Sequence, residues 1–245
     1  MIVLKNLSAC HGETEKPILN DINITIPPGT CYALIGQSGS GKTTLLKNIN
    51  HLHRPSSGTV SINYTTLNQQ NITVVRKKIG YVSQHASLFP HLTIGNNIAL
   101  ALEVANLPKA LHPTRISTAL NHAGLEPKQF QHRYPDTLSG GEAQRANIAR
   151  AIANQPEILL MDEPFSALDN ITRHTLQQQI KQMQKTLRLT IVLVTHDINE
   201  ALLLADMIGV LDNGHLIQQA TPHTLIKEPK HAVVKQLLTP TRGNH

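Results

Sequence analysis

The chain has 245 residues, of which 40% are hydrophobic, enough for one large α/β domain or a core carrying an inserted subdomain. Lys and Arg number 22 against 16 Asp and Glu, a formal net charge of +6, but the basic residues are dispersed apart from Arg76-Lys77-Lys78. With 3% aromatics and no Trp, a base-stacking platform for single-stranded nucleic acid is disfavoured, and the two cysteines, Cys10 and Cys31, have no C-x-x-C or Cys/His spacing that would mark a disulfide framework or a zinc site.

In chain order, Ile2 to Ser8 alternates apolar and polar residues as a half-buried strand does, and Ile18 to Ile26 alternates again before the turn Pro27-Pro28-Gly29. A strand over Thr30–Ile35 then delivers Gly36-Gln37-Ser38-Gly39-Ser40-Gly41-Lys42-Thr43, and a helix is predicted over 44–49. Arg54 to Gly58 reads as a turn, Thr59–Asn63 as a short strand, Val74–Lys78 as a brief helical or irregular piece, and Ile79–Ser83 as another strand. From Gln84 to about Ala153, apolar residues recur at helical spacing between Pro108, Pro113, Pro127 and Pro135, which predicts a mostly helical insertion ending in a helix over 141–153. Strands are predicted again over 157–161 and 190–195, with a polar-faced helix over 170–187 between them. A helix over 199–205 and a hairpin turning at Asp212-Asn213-Gly214 follow, then two short helical patches and a tail over 239–245. Neither a signal peptide nor an apolar run near the ~18 residues of a membrane span is visible, so any membrane contact is expected to run through a partner.

The chemistry falls at strand ends, where parallel α/β sheets bind ligands. Gly36–Thr43 fits G-x-x-x-x-G-K-[ST], whose small residues let backbone N–H groups curl round a polyphosphate while the next helix adds its positive end. Lys42 is placed to reach the β/γ-phosphates and Thr43 to ligate Mg²⁺. Asp162-Glu163 follows a buried strand: the first carboxylate can support Mg²⁺ and the second can polarise a water, although an Asp-Glu pair in that position also serves as a helix cap. His196 follows the last buried strand, where it could sense a γ-phosphate, a role weaker on its own than a structural one. Leu138-Ser139-Gly140-Gly141-Glu142 opens a helix with a second anion-binding start, which makes sense if it serves the nucleotide of a facing subunit. Gln84 lies where a strand gives way to the helical insertion.

The ordered set Gly36–Thr43, Gln84, Leu138–Glu142, Ile158–Glu163, Ser166–Asp169 and His196 resembles the nucleotide-binding subunit of an ABC transporter over essentially the whole chain. The resemblance implies an α/β fold: a P-loop NTPase (RecA-like) core with an inserted α-helical subdomain and an antiparallel β subdomain. It places the ATPase domain over 1–238, with the helical subdomain at about 85–153 and a flexible tail over 239–245. It further implies ATP hydrolysis in a head-to-tail dimer. Gly36, Gln37, Ser38, Gly39, Ser40, Gly41, Lys42, Thr43 and Thr44 would hold the phosphates. Thr43, Gln84 and Asp162 would stand near Mg²⁺, Glu163 would act on the water and His196 would hold the γ-phosphate. Ser139, Gly140 and Gly141 would complete the opposite site, with Asp169 at the dimer interface. Expected partners are a second copy, membrane permease subunits and a solute-binding protein, with no nucleic acid; the expected location is the cytoplasmic face of the membrane, as a peripheral subunit.

The stretches Lys78–Gln84 and Leu88–Ile94 are in the style of bacterial importers, and Asp162–Arg173 is similar to ATPases of glycine betaine, choline and carnitine importers. Amino-acid importers, exporters and lipid-transport systems are the alternatives. The chain departs from the pattern where an aromatic residue normally stacks on adenine: His11 stands there instead. Glu142 replaces the common Gln, a change expected to be tolerated if Ser139 and the glycines make the phosphate contacts. Ser83 stands where a bulky residue is usual, and a C-terminal regulatory domain of the osmoprotectant type is not expected.

Overall fold

The computed structural model describes residues 1–10 and 17–239; His11 lies outside them. In chain order the strands and helices of the first part are β1 (Ile2–Cys10), β2 (Pro17–Ile26), β3 (Cys31–Ile35), α1 (Lys42–Ile49), β4 (Ser57–Ile62), β5 (Thr65–Thr66), α2 (Ile72–Arg76) and β6 (Ile79–Val82). The middle holds α3 (Ile94–Val104), α4 (His112–His122), α5 (Pro127–Phe130) and α6 (Gly140–Ile152). There follow β7 (Ile158–Asp162), α7 (Asn170–Leu187), β8 (Thr190–Val194), α8 (Ile198–Leu204), β9 (Met207–Asp212), β10 (His215–Ala220), α9 (Pro222–Lys227) and α10 (Ala232–Leu238). The chain forms two compact units, one of Met1–Asn68 with the chain from Val192 onward, the other Gln69–Ile191.

In the first unit an antiparallel sheet runs β2-β1-β4-β5. Ile2 faces Ile26 and Ile62, and Leu4 faces Ile24 and Val60, so the alternating apolar residues bury one face. Between Leu4 and Leu7 the register shifts at Asn6, whose φ is 48°, which is why the alternation slips by one there. β4 begins at Ser57, earlier than the sequence pattern predicts, because the backbone already pairs with Ser8. β5 escapes sequence reading altogether: two exposed threonines carry no period, and the turn before it uses Asn63 and Tyr64 at positive φ rather than a glycine.

A second sheet in this unit runs β10-β9-β3, with Val192–Val194 of β8 alongside β3. All five residues of β3 are buried, and β3 pairs in parallel with β9. Such a continuous apolar strand is typical of a parallel sheet covered on both faces. Ala33, Ile35, Ala201, Ile208, Val210, Leu225 and Val234 form one cluster, which joins β3 and β9 to α8, α9 and α10.

In the second unit β6 and β7 pair in parallel, Ile79 opposite Ile158 and Val82 opposite Met161. The helical insertion folds as α3, α4, α5 and α6, and α6 packs against β6, α3, α4 and α7. A Cβ at Gly80 would run into the Ala151 carbonyl, so α6 and β6 approach closely because of that glycine. Helix starts are capped as the sequence allows: Thr93 accepts from the Asn96 N–H, and Asp169 from those of Ile171 and Thr172.

Candidate functional site

In the first unit the loop between β3 and α1 is held open by glycines. Gly41 caps α1 at φ 105°, where a Cβ would meet Leu19 at 2.7 Å, and a Cβ at Gly36 would strike the Leu211 carbonyl. Gln37, Ser38 and Gly39 are exposed while Ser40 and Lys42 are buried. The Lys42 ammonium donates to the Gly36 and Gln37 carbonyls, 2.8 Å each, and so braces the loop from within. The Ser40 Oγ is buried without a hydrogen-bond partner. A cation and an unsatisfied hydroxyl behind an exposed backbone arch fit a bound polyphosphate. α1 already begins at Lys42, so Lys42, Thr43 and Thr44 occupy the first helical turn, where N–H groups have no partners within the helix.

His196 is exposed just past β8. The turn that carries it is fixed on both sides. The Thr195 hydroxyl donates to buried Glu200 and accepts from the Asp197 N–H at 3.0 Å, and Asp197 caps α8 through Asn199 at 2.8 Å. His196 and Gln37 of the phosphate loop line one groove of about 580 Å³ with α10.

In the second unit β7 ends at Asp162, 8% exposed, and the Tyr81 hydroxyl hydrogen-bonds to it. Burial, together with the Asp162 charge and hydrogen bond, pushes the Tyr81 phenol up to about 12, so this hydroxyl is a permanent donor to the carboxylate. Glu163 takes a left-handed φ of 45°. The turn that follows holds it, for Ser166 N–H and Oγ both donate to the Glu163 carbonyl. No helix starts at Asp162-Glu163, which sets aside the capping role. Gln84 Nε2 donates to Glu163 Oε2 at 3.3 Å, which brings together two residues far apart in sequence.

Ser139 and Gly140 are exposed at the start of α6. Ser139 is the N-cap of a full capping box: its Oγ accepts from the Glu142 N–H, while Glu142 Oε2 accepts from Ser139 N at 2.8 Å and Oγ at 2.9 Å. The Ser139 N–H is the main reason the Glu142 carboxyl is held below its usual range, with Arg133 and Arg145 adding to it. Glu142 is therefore more than a tolerated replacement, since in this structure it engages the serine hydroxyl itself. Gly141 lies against Thr172 of α7, and a Cβ there would collide with the threonine methyl. Asp169 is the exposed N-cap of α7, and the Thr172 hydroxyl and N–H hold its carboxyl low.

Sequence reading missed how the loop after β6 is fastened. The Ser83 carbonyl accepts from the side-chain amides of Gln144 and Asn147, and Arg150 bonds both the Ser87 carbonyl and Asn147 Oδ1. The recurrence of Gln144, Asn147 and Arg150 at every third position of α6 was the available signal. It also missed an apolar groove of about 500 Å³ on this unit, lined by Tyr81, Phe89, Leu100, Val104 and Arg150 among others. Val104 is 73% exposed at its edge.

Strand, glycine loop and helix in one unit, with a capped Ser-Gly-Gly helix start in the other, define a phosphate-loop α/β protein of the ABC ATPase fold. The profile of the family described as "ABC transporter" matches residues 19–166, and the chain belongs to that family. It is 41% identical over 238 residues to the choline transport ATP-binding protein OpuBA of Bacillus subtilis, covering 97% of this chain and 62% of that one. It is 40% identical over 236 residues to the glycine betaine uptake system ATP-binding protein YehX of Escherichia coli, covering 96% and 76%. The chain thus spans about 62% of the length of several curated relatives. Among solved structures, the dimeric post-hydrolysis state of the ATP-binding cassette MJ0796 bound to ADP and Pi matches with a TM-score of 0.82 at 35% identity, covering 91% of this chain and 99% of that one. No helix among the described residues is long and apolar enough to cross a membrane.

Proposed function

We propose that this chain binds and hydrolyses ATP as the motor subunit of a solute importer, working as a head-to-tail dimer on the cytoplasmic face of a membrane. The observation that carries the reading is the pairing, within one family member, of a braced phosphate loop with a helix start exposed at Ser139 and Gly140. The second feature caps its own helix, and its exposed glycine-rich start supports contact with a nucleotide held by another copy.

In this reading the backbone of 36–44 and Lys42 hold the phosphates, and His196 contacts the γ-phosphate. The water oxygen bonds to the γ-phosphorus as the bond to the β-bridging oxygen breaks; the water's proton passes to Glu163, and ADP and phosphate leave. Gln84 orients Glu163 through its amide. Mg²⁺, when bound, spreads the phosphate charge. The hydroxyl, amide and carboxylate oxygens of Thr43, Gln84 and Asp162 suit such a hard cation, and the Tyr81 hydroxyl hydrogen-bonds to the Asp162 carboxylate. Asp169 is assigned to the dimer interface and His11 to the adenine.

The groove lined by Phe89, Leu100 and Val104 supports a permease segment docking on the helical insertion, because exposed apolar surface of this kind marks an interaction site. The similarity to OpuBA and YehX supports a quaternary amine as cargo, delivered by a solute-binding protein. The domain reading, 1–238 with its helical part near 85–153, belongs to the same proposal. The test is Glu163→Gln: turnover should fall at least about 100-fold while ATP binding persists and a dimer accumulates on sizing chromatography. Wild-type turnover in that variant rejects Glu163 as the base.

A further inference from the structure

The loop between β6 and α3 carries Gln84, the residue whose amide touches Glu163. The described contacts show what fixes this loop. Immediately before Gln84, the Ser83 carbonyl receives two side-chain amides from a single face of α6, Gln144 Nε2 at 3.3 Å and Asn147 Nδ2 at 3.4 Å. Both are deeply buried, Gln144 4% and Asn147 0% exposed. Immediately after Gln84, the chain is tied to itself, Ser83 Oγ donating to the His85 carbonyl at 2.7 Å and contacting Ser87 Oγ at 3.0 Å. Arg150, one turn beyond Asn147, donates to the Ser87 carbonyl. The same guanidinium donates to Asn147 Oδ1 at 2.9 Å, so Asn147 is satisfied at both ends of its amide.

Helical geometry explains the set. Positions 144, 147 and 150 recur every three residues, so they fall in one row along α6. Exposed Gln84 is thus suspended between two anchor points, Ser83 and Ser87, and both anchors lead back to that row. A buried amide in a helix that otherwise packs Ala146, Ile148, Ala149 and Ile152 is costly unless its bonds are needed.

From this geometry we infer that Asn147 is a positioning residue for ATP hydrolysis. Together with Gln144 it fixes the Ser83 carbonyl, and through it sets where Gln84 presents its amide to Glu163. Asn147 touches neither nucleotide nor water in this account; it acts only through the loop. The inference rests on the proposed function, since it assumes that Glu163 is the base. Arg150 lines the apolar groove as well, so the same row reaches the surface where a permease segment is proposed to dock.

The experiment compares full-length parent, Asn147→Ala and Asn147→Asp. Aspartate keeps the acceptor facing Arg150 but sets a carboxylate against the Ser83 carbonyl, so it should retain the fold while releasing the loop. The kcat of both variants should fall roughly ten- to a hundredfold, with KM and equilibrium ATP affinity unchanged. Amide hydrogen exchange, measured by mass spectrometry without nucleotide, should quicken in residues 83–87 and stay slow in 140–152. Unchanged kcat in both variants overturns the inference. So does a lowered kcat accompanied by faster exchange throughout 140–152, which means plain destabilisation of the helix. A parent chain with no ATP turnover overturns the proposed function itself, and that result is recognisable because it does not depend on position 147.

Discussion

The loop after β3 and the start of α6 both meet the physical requirements for phosphate, yet their own side chains fill them in opposite ways. In the loop a cation, Lys42, turns inward onto the Gly36 and Gln37 carbonyls. At α6 an anion, Glu142, takes up both the N–H and the hydroxyl of Ser139. A phosphate reaching the loop finds its counter-charge in place. One reaching Ser139 must displace a carboxylate. On the proposed function, the contrast would let one chain hold nucleotide alone through the first feature and respond to a second copy only through the other.

Three changes separate the two sides. The largest effect is expected from Lys42→Ala, which should weaken ATP binding about 100-fold in the isolated chain, read by calorimetry; unchanged affinity would remove Lys42 from the site. Ser139→Ala should leave that affinity intact, abolish ATP-dependent dimer formation in sedimentation, and lower stability by about 1 kcal/mol for the lost cap. If dimers persist, the α6 start is a cap and nothing more. The smallest effect concerns pH. The Glu142 and Asp169 carboxyls are both held low in the folded chain, chiefly by the Ser139 N–H and by Thr172 respectively. Their contribution should therefore be whole above the ordinary carboxylate range and fade as pH falls through the depressed folded-state values. Urea midpoints measured against pH should drop across that acid window in the parent and less steeply in the Glu142→Gln, Asp169→Asn double variant.

Much of this was legible in the sequence, for physical reasons that differ by site. Gly36–Thr43 is local: strand, loop and helix are contiguous, and the glycines declare themselves through positions where a Cβ has no room. The strand and helix limits were nearly right where β3, β7 and β8 are buried throughout, because unbroken apolar runs leave little choice. Glu142 was read as a passive replacement because only the folded capping box shows its carboxylate on the Ser139 hydroxyl. Asn147 was passed over for a related reason: its partner, the Ser83 carbonyl, lies 64 positions away, and a backbone oxygen leaves no mark in a sequence. β5 was lost because two residues are too few for any period.

The backbone at Glu163 stands at φ 45°, a region that costs an ordinary L-residue roughly 1–2 kcal/mol and that Gly or Asn enters readily. A chain selected for stability alone would drift toward one of those two residues here. That a long carboxylate occupies the position, pinned by Ser166 behind and Gln84 in front, marks it as a place where fold and chemistry pull apart. Ten non-glycine residues among the described ones share a positive φ, and Glu163 is the one where that angle meets a carboxylate bonded by the Gln84 amide.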